Sequence, residues 1–77
     1  MTLTVKYFGM LAEVTQCQEE TFDNTKVTIS EFLEALFLKY PGLREKDFRV
    51  AQHQKIAAKT EEITASELAL LPPFAGG

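Results

Sequence analysis

VTISEFLEALFLKYPG, residues 27–42, reads as one amphipathic helix with both ends marked. Thr28 stands where an N-cap is wanted and Glu31 follows three residues later. That is the spacing of a capping box, in which each side chain satisfies the other residue's backbone N–H. Val27 and Phe32 are spaced as the hydrophobic staple that fixes how the chain enters a helix. Ile29, Phe32, Leu33, Leu36, Phe37 and Tyr40 recur at three- and four-residue intervals and share one broad apolar stripe. Pro41-Gly42 then stops the helix. A stripe this wide must be covered, and no second helical pattern of comparable strength exists in the 77 residues, so the expected cover is a sheet.

The flanks supply the strands. TLTVKYF, residues 2–8, alternates, with Leu3, Val5 and Tyr7 on one face and Thr4, Lys6 and Phe8 on the other. Gly9 breaks the strand, Met10 to Val14 fits a short helical turn, Gln18 to Phe22 a second strand, and Asp23-Asn24 a turn. Beyond the helix, after a polar stretch, Phe48 to Gln52 reads as a strand and Lys55 to Ala58 as a weak return strand. The turn around Gln52-His53-Gln54 lacks the usual Gly or Asn. Leu68 to Leu71 is the last strand, ended by Pro72.

The order strand, strand, helix, then two or three short strands gives an α+β, β-grasp (ubiquitin-like) layout. It is a mixed sheet of four to five strands with one main helix packed on one face. Residues 1–71 form the domain and 72–77 an extended tail. The first and last strands are expected to lie side by side and parallel, so that Leu68 and Leu70 join Leu3, Val5 and Tyr7 beneath the helix. Phe8 and Leu71 then fall together on the opposite face, where the tail leaves. Such an exposed apolar pair marks a partner surface, or else Phe8 is tucked under a loop.

Composition narrows the function. A chain of 77 residues is one domain, and at this size only about 60% of the unfolded surface is buried. A net charge of −3 argues against nucleic-acid binding. Lys39, Arg44, Lys46 and Arg49 cluster along the chain and read as a solvated face. The single Cys17 permits no internal disulfide and fits a reducing compartment. The lack of a secretory leader or membrane-length apolar run points to the cytoplasm. His53 has no Cys or His at ligand spacing, so no metal site is expected. Cys17 reads as an incidental thiol, and Glu19-Glu20 and Glu61-Glu62 as solvated charge. Neither G-x-x-x-x-G-K-[ST] nor G-x-G-x-x-G occurs, so the chain supplies no nucleotide site of its own.

The last eight residues, LLPPFAGG, combine stiffness with slimness. Pro72-Pro73 favours an extended backbone, whereas Gly76 and Gly77, without Cβ atoms, can pass a narrow channel. Six extended residues, Pro72 to Gly77, reach roughly 20 Å. Phe74 is placed to anchor at a channel mouth, or to fold back on its own sheet.

The segments ALLPPFAGG (69–77), VKYFGMLAE (5–13), VTISEFLEALFLKYPGL (27–43) and FRVAQHQ (48–54) together resemble the small, sulfur-carrying subunit of molybdopterin synthase, one of the ubiquitin-like β-grasp carriers. The tail is the specific part; Ala65-Ser66-Glu67 and Gln52-His53 depart from the usual turns of that family. The resemblance implies a carrier that is not an enzyme by itself and binds no cofactor. A partner activating enzyme, E1-like, uses ATP to adenylate the Gly77 carboxylate, and sulfur replaces AMP to give a thiocarboxylate. The large synthase subunit then receives Pro72, Pro73, Phe74, Ala75 and Gly76 in a channel, and the sulfur passes to a cyclic pterin precursor of the molybdenum cofactor. The usual assembly in the family is a heterotetramer. Alternatives are the thiamine-pathway sulfur carrier, a ubiquitin-like modifier joined to lysines, or an interaction module whose Gly-Gly is incidental.

Overall fold

The helix signal at residues 27–42 becomes an 11-residue helix whose N-terminus is capped as its sequence requires. The computed structural model describes residues 2–23 and 27–73. Its elements are β1 (Thr2–Tyr7), α1 (Met10–Thr15), β2 (Glu19–Asp23), α2 (Ile29–Lys39), a 3₁₀ helix (Pro41–Glu45), β3 (Arg49–Gln52), β4 (Lys55–Ile56) and β5 (Glu67–Leu71). At the start of α2 the Glu31 N–H donates to Thr28 Oγ1 at 3.2 Å and the Thr28 N–H to Glu31 Oε1 at 2.8 Å. A cap of this kind contributes about 1 kcal/mol.

The five strands form one mixed sheet in the order β2-β1-β5-β3-β4. β1 and β5 lie parallel at its centre, with Val5 opposite Leu68 and Tyr7 opposite Leu70. The other three pairings are antiparallel. This is the β-grasp expected from the element order. Leu3, Val5, Leu68 and Leu70 are fully buried against Ile29, Leu33 and Leu36 of α2. Val27 joins the core margin, and Phe32 meets Phe22 edge to face at 5.4 Å.

Several local expectations are corrected. The polar stretch after α2, for which no element is expected from the sequence, holds one: Pro41–Glu45 winds into a 3₁₀ helix that drops Leu43, fully buried, into the core. A lone leucine among polar residues carries no periodicity to announce it. Phe48 precedes β3 instead of opening it, and its ring packs edge to face on Phe37 at 6.2 Å. The return strand is only Lys55–Ile56, while Ala57 still donates its N–H to the Val50 carbonyl at 2.9 Å. The second strand is shifted by one residue, to Glu19–Asp23.

The β3–β4 turn closes without glycine or asparagine. His53 and Gln54 both adopt positive φ, 55° and 63°, the geometry a two-residue hairpin turn needs to match strand twist. The buried Gln52 side chain holds the neighbouring loop. Its Nε2 donates to the Glu62 carbonyl at 3.0 Å, and its Oε1 accepts from the Thr64 and Ala65 N–H groups at 2.9 and 3.2 Å. Side-chain bonds thus hold the 62–65 loop beside the turn where Gln52-His53 and Ala65-Ser66 depart from the resembled pattern.

Candidate functional site

The site begins where β5 ends. Leu71 is the last strand residue, Pro72 is half-buried and Pro73 exposed. Phe74, Ala75, Gly76 and Gly77 lie outside the described residues. The direction in which the chain leaves is set by a contact not anticipated from the sequence. Gly9, in the β1–α1 turn, has φ +60°, and a Cβ there would lie 3.0 Å from Pro72 Cγ. A side chain is therefore disfavoured twice, by backbone conformation and by space. The glycine lets the pyrrolidine ring seat on the turn, beside a hollow of about 400 Å³ lined by Met10, Leu11, Lys46, Asp47 and both prolines. The only sequence signal was the glycine itself, which read as a strand breaker.

Phe8 and Leu71 occupy the face of the sheet opposite α2. The parallel register pairs Tyr7 with Leu70, and the Phe8 N–H continues it to the Leu70 carbonyl at 3.2 Å. One step further on, Phe8 and Leu71 are therefore neighbours on the open face. Phe8 is 44% exposed and Leu71 half-buried, so the phenyl ring is presented to solvent and not tucked beneath a loop. The same face continues through Ala69 and Ala51 to Ile56, which is 55% exposed, because Ala51 pairs with both Ala69 and Ile56. The strip crosses three strands, so no local sequence window holds it. Beside it, Lys6 Nζ and Glu67 Oε2 form an exposed pair at 2.8 Å, which holds the lysine above its ordinary pKa through the hydrogen bond and charge of Glu67.

Glu20 overturns the reading of Glu19-Glu20 as solvated charge. Its register partner is the core residue Val5, so its carboxylate points to the helix side. There Oε1 accepts from Tyr7 Oη at 3.1 Å and Tyr40 Oη at 2.8 Å, while Oε2 pairs with Lys39 Nζ. Partial burial opposes ionisation of Glu20, but the bonds from Lys39, Tyr40 and Tyr7 outweigh it and hold the carboxyl below its usual range. Burial, and then donation to this carboxylate, push both tyrosines well above theirs. These groups tie β1, β2 and the end of α2 together, with Cys17 Sγ 3.9 Å from Glu20 Oε1. Lys39 and Arg44 are thus not merely solvated, since Arg44 also pairs with Glu34.

Among the described residues no three His, Cys, Asp or Glu side chains gather as a metal site. His53 bonds Thr64 Oγ1 at 2.8 Å, on the turn. No helix among them is long and apolar enough to cross a membrane. The described residues thus present the end of β5, with Pro72 against Gly9, and an apolar strip beside it.

Comparison with known proteins agrees with this geometry. The family model described as the ThiS family matches residues 5–77. A Pyrococcus furiosus protein, provisionally described as subunit 1 of a molybdopterin converting factor, superposes with a TM-score of 0.85 at 16% identity, over 95% of this chain and 98% of that one. Small archaeal modifier protein 1 of Haloferax volcanii gives a TM-score of 0.79 at 28% identity, over 94% and 97% of the two chains. Its namesake from Methanosarcina acetivorans gives 0.72 at 21% identity, over 99% and 96%.

Proposed function

This chain belongs to the ThiS family of small ubiquitin-like β-grasp carriers, and on that premise we propose that it is the sulfur-carrying subunit of molybdopterin synthase. The observation that carries the reading is the motif LLPPFAGG: its two leucines close β5, PPFAGG follows directly on the strand, and Pro72 is seated on Gly9. In this reading residues 72–77 work as an extended tail on the β-grasp body. An α-carboxyl has a pKa near 3.5, so at neutral pH it is a carboxylate and a poor electrophile. Its activation comes from outside. An E1-like partner transfers AMP from ATP to the Gly77 carboxylate, releasing pyrophosphate. A donor sulfur at the level of sulfide then attacks the carbonyl carbon, and the bond to AMP breaks, leaving the thiocarboxylate.

The large synthase subunit takes the tail. Pro72 and Pro73 lower the cost of ordering it, Phe74 anchors at the channel mouth, and Ala75, Gly76 and Gly77 are slim enough to reach the buried pterin precursor. Phe8 and Leu71 support docking of the body. The work is done in the cytoplasm, within a heterotetramer of two large and two small subunits.

A second reading has its own support. The 28% identity to the Haloferax modifier, across nearly all of both chains, favours a protein modifier attached through Gly77 to lysine amines. Intact mass of the untagged protein from its native cell separates the two. A species heavier by one oxygen-to-sulfur exchange at Gly77, which converts added precursor to the dithiolene in the presence of the large subunit, is the expected result. Lysine-linked conjugates without conversion of the precursor would replace this reading with the modifier.

A further inference from the structure

A second concave surface lies between the helix side and the β3–β4 edge of the sheet, where Arg49, the register partner of Leu71, and Ile56, the end of the open-face strip, also reach it. It is a groove of about 490 Å³ between α2, the 3₁₀ helix and β3–β4. Its floor is apolar: Leu33 and Val50 are buried, and Phe37 and Phe48 form the edge-to-face pair. Its rim carries Arg44, Lys46, Arg49 and Lys59 against Glu34 and Asp47. Glu34 is engaged by Arg44 Nη2 at 3.1 Å, and the Arg44 guanidinium lies 4.8 Å from the centre of the Phe37 ring. Lys46, Arg49 and Lys59 have no ion-pair partner among the described residues. Half of the eight basic side chains thus surround one groove in a chain whose net charge is −3.

We propose that this groove binds an acidic peptide segment, with an apolar side chain on the Phe37–Phe48 floor, belonging to the protein partner that receives the tail. Charge complementarity selects the sign: three unpaired cations and one unpaired anion, Asp47, face the occupant. Such an arrangement speeds encounter and fixes register more than it adds affinity. The aromatic floor asks for an apolar anchor, which a peptide supplies. A nucleic acid fits poorly, because a polyanion longer than the groove meets the negative charge of the rest of the domain. Continuity selects the partner: Lys46 and Asp47 line both this groove and the hollow beneath Pro72 and Pro73, so the groove opens at the root of the tail. That the partner is the one receiving the tail rests on the carrier reading; the preference for acidic peptide does not.

The test therefore needs neither sulfur chemistry nor the partner. The uniformly ¹⁵N-labelled chain is titrated by NMR with a capped peptide Asp-Glu-Leu-Phe-Asp-Glu, and separately with Lys-Lys-Leu-Phe-Lys-Lys. The acidic peptide should give saturable shifts at the amides of Leu33, Phe37, Arg44 and Val50, with at least tenfold tighter binding than the basic one. Added salt should weaken it, since exposed charges are screened over about 10 Å at 0.1 M. Arg49→Glu with Lys59→Glu should weaken it at least tenfold, and Arg49→Lys with Lys59→Arg should restore it. Both side chains are exposed, so a dispersed spectrum will confirm that the variants fold. Absence of saturable shifts, shifts centred on Phe8 and Leu71, or an affinity indifferent to charge reversal would each overturn the proposal.

Discussion

Replacing Glu20 by Gln keeps the shape of the side chain and removes the charge on which Tyr7, Tyr40 and Lys39 converge. The amide oxygen can still accept from both tyrosines, but each bond falls from the charge-assisted class to the neutral one, a loss of about 1 kcal/mol apiece. The amide NH₂ then faces the Lys39 ammonium, donor against donor. That pair is half-exposed on the lysine side, so its loss adds no more than about 1 kcal/mol. The sum is about 2–3 kcal/mol at pH 7, which in a domain of this size lowers Tm by roughly 10 °C or more.

Urea unfolding of both proteins against pH measures it. Glu20 is held below its unfolded value, so its contribution is complete above that value, near 4.3, and is lost as pH falls through the folded one. The gap between wild type and Glu20→Gln should hold from pH 7 to about pH 5, then shrink as pH falls through the lowered folded value, and close once Glu20 is protonated in both folded and unfolded states. A gap below about 0.5 kcal/mol at pH 7, or one that persists unchanged in acid, would refute the role given to the carboxylate.

Three further outcomes are expected. Gly9→Ala should cost about 1–3 kcal/mol in chemical denaturation, because it forces an L-residue to φ +60° and pushes Pro72 from its seat; the amide shifts of Leu71, Met10 and Leu11 should move with it. Gln52→Ala should cost at least about 2 kcal/mol, since it strips the partners of the Glu62 carbonyl and the Thr64 and Ala65 N–H groups. Exchange of those two amides should accelerate. Leu71→Asp should cost less than about 1 kcal/mol in stability, Leu71 being half-buried on the open face. It should weaken binding of the large synthase subunit at least tenfold by calorimetry, about 1.4 kcal/mol.

Features held by residues a few positions apart were legible in the sequence. Thr28 and Glu31 of the box lie three positions apart, the α2 stripe repeats every three or four, and the inward set of β1 repeats every two, so each was visible without the fold. The element order was enough to place β1 beside β5 in parallel, because a single helix crossing one face leaves few other arrangements. Pro72-Pro73 and Gly76-Gly77 likewise carry the expectation of a stiff, slim tail in adjacent residues alone, and Phe74 to Gly77 lie outside the described residues.

Tertiary structure decided what depends on distant partners. Glu20 is a hub only because Tyr7, Lys39 and Tyr40, 13 to 20 positions away, aim at one carboxylate. Gly9 matters for the tail because parallel pairing carries Pro72 onto the β1–α1 turn. Leu43 became core through a 3₁₀ turn with no periodic signature, and His53 and Gln54 took positive φ because the antiparallel pairing of β3 with β4 leaves only those two residues for the turn. Local pattern records what a residue prefers to form; burial, register and converging charge belong to pairs, and a pair separated by many residues exists only once the chain has folded.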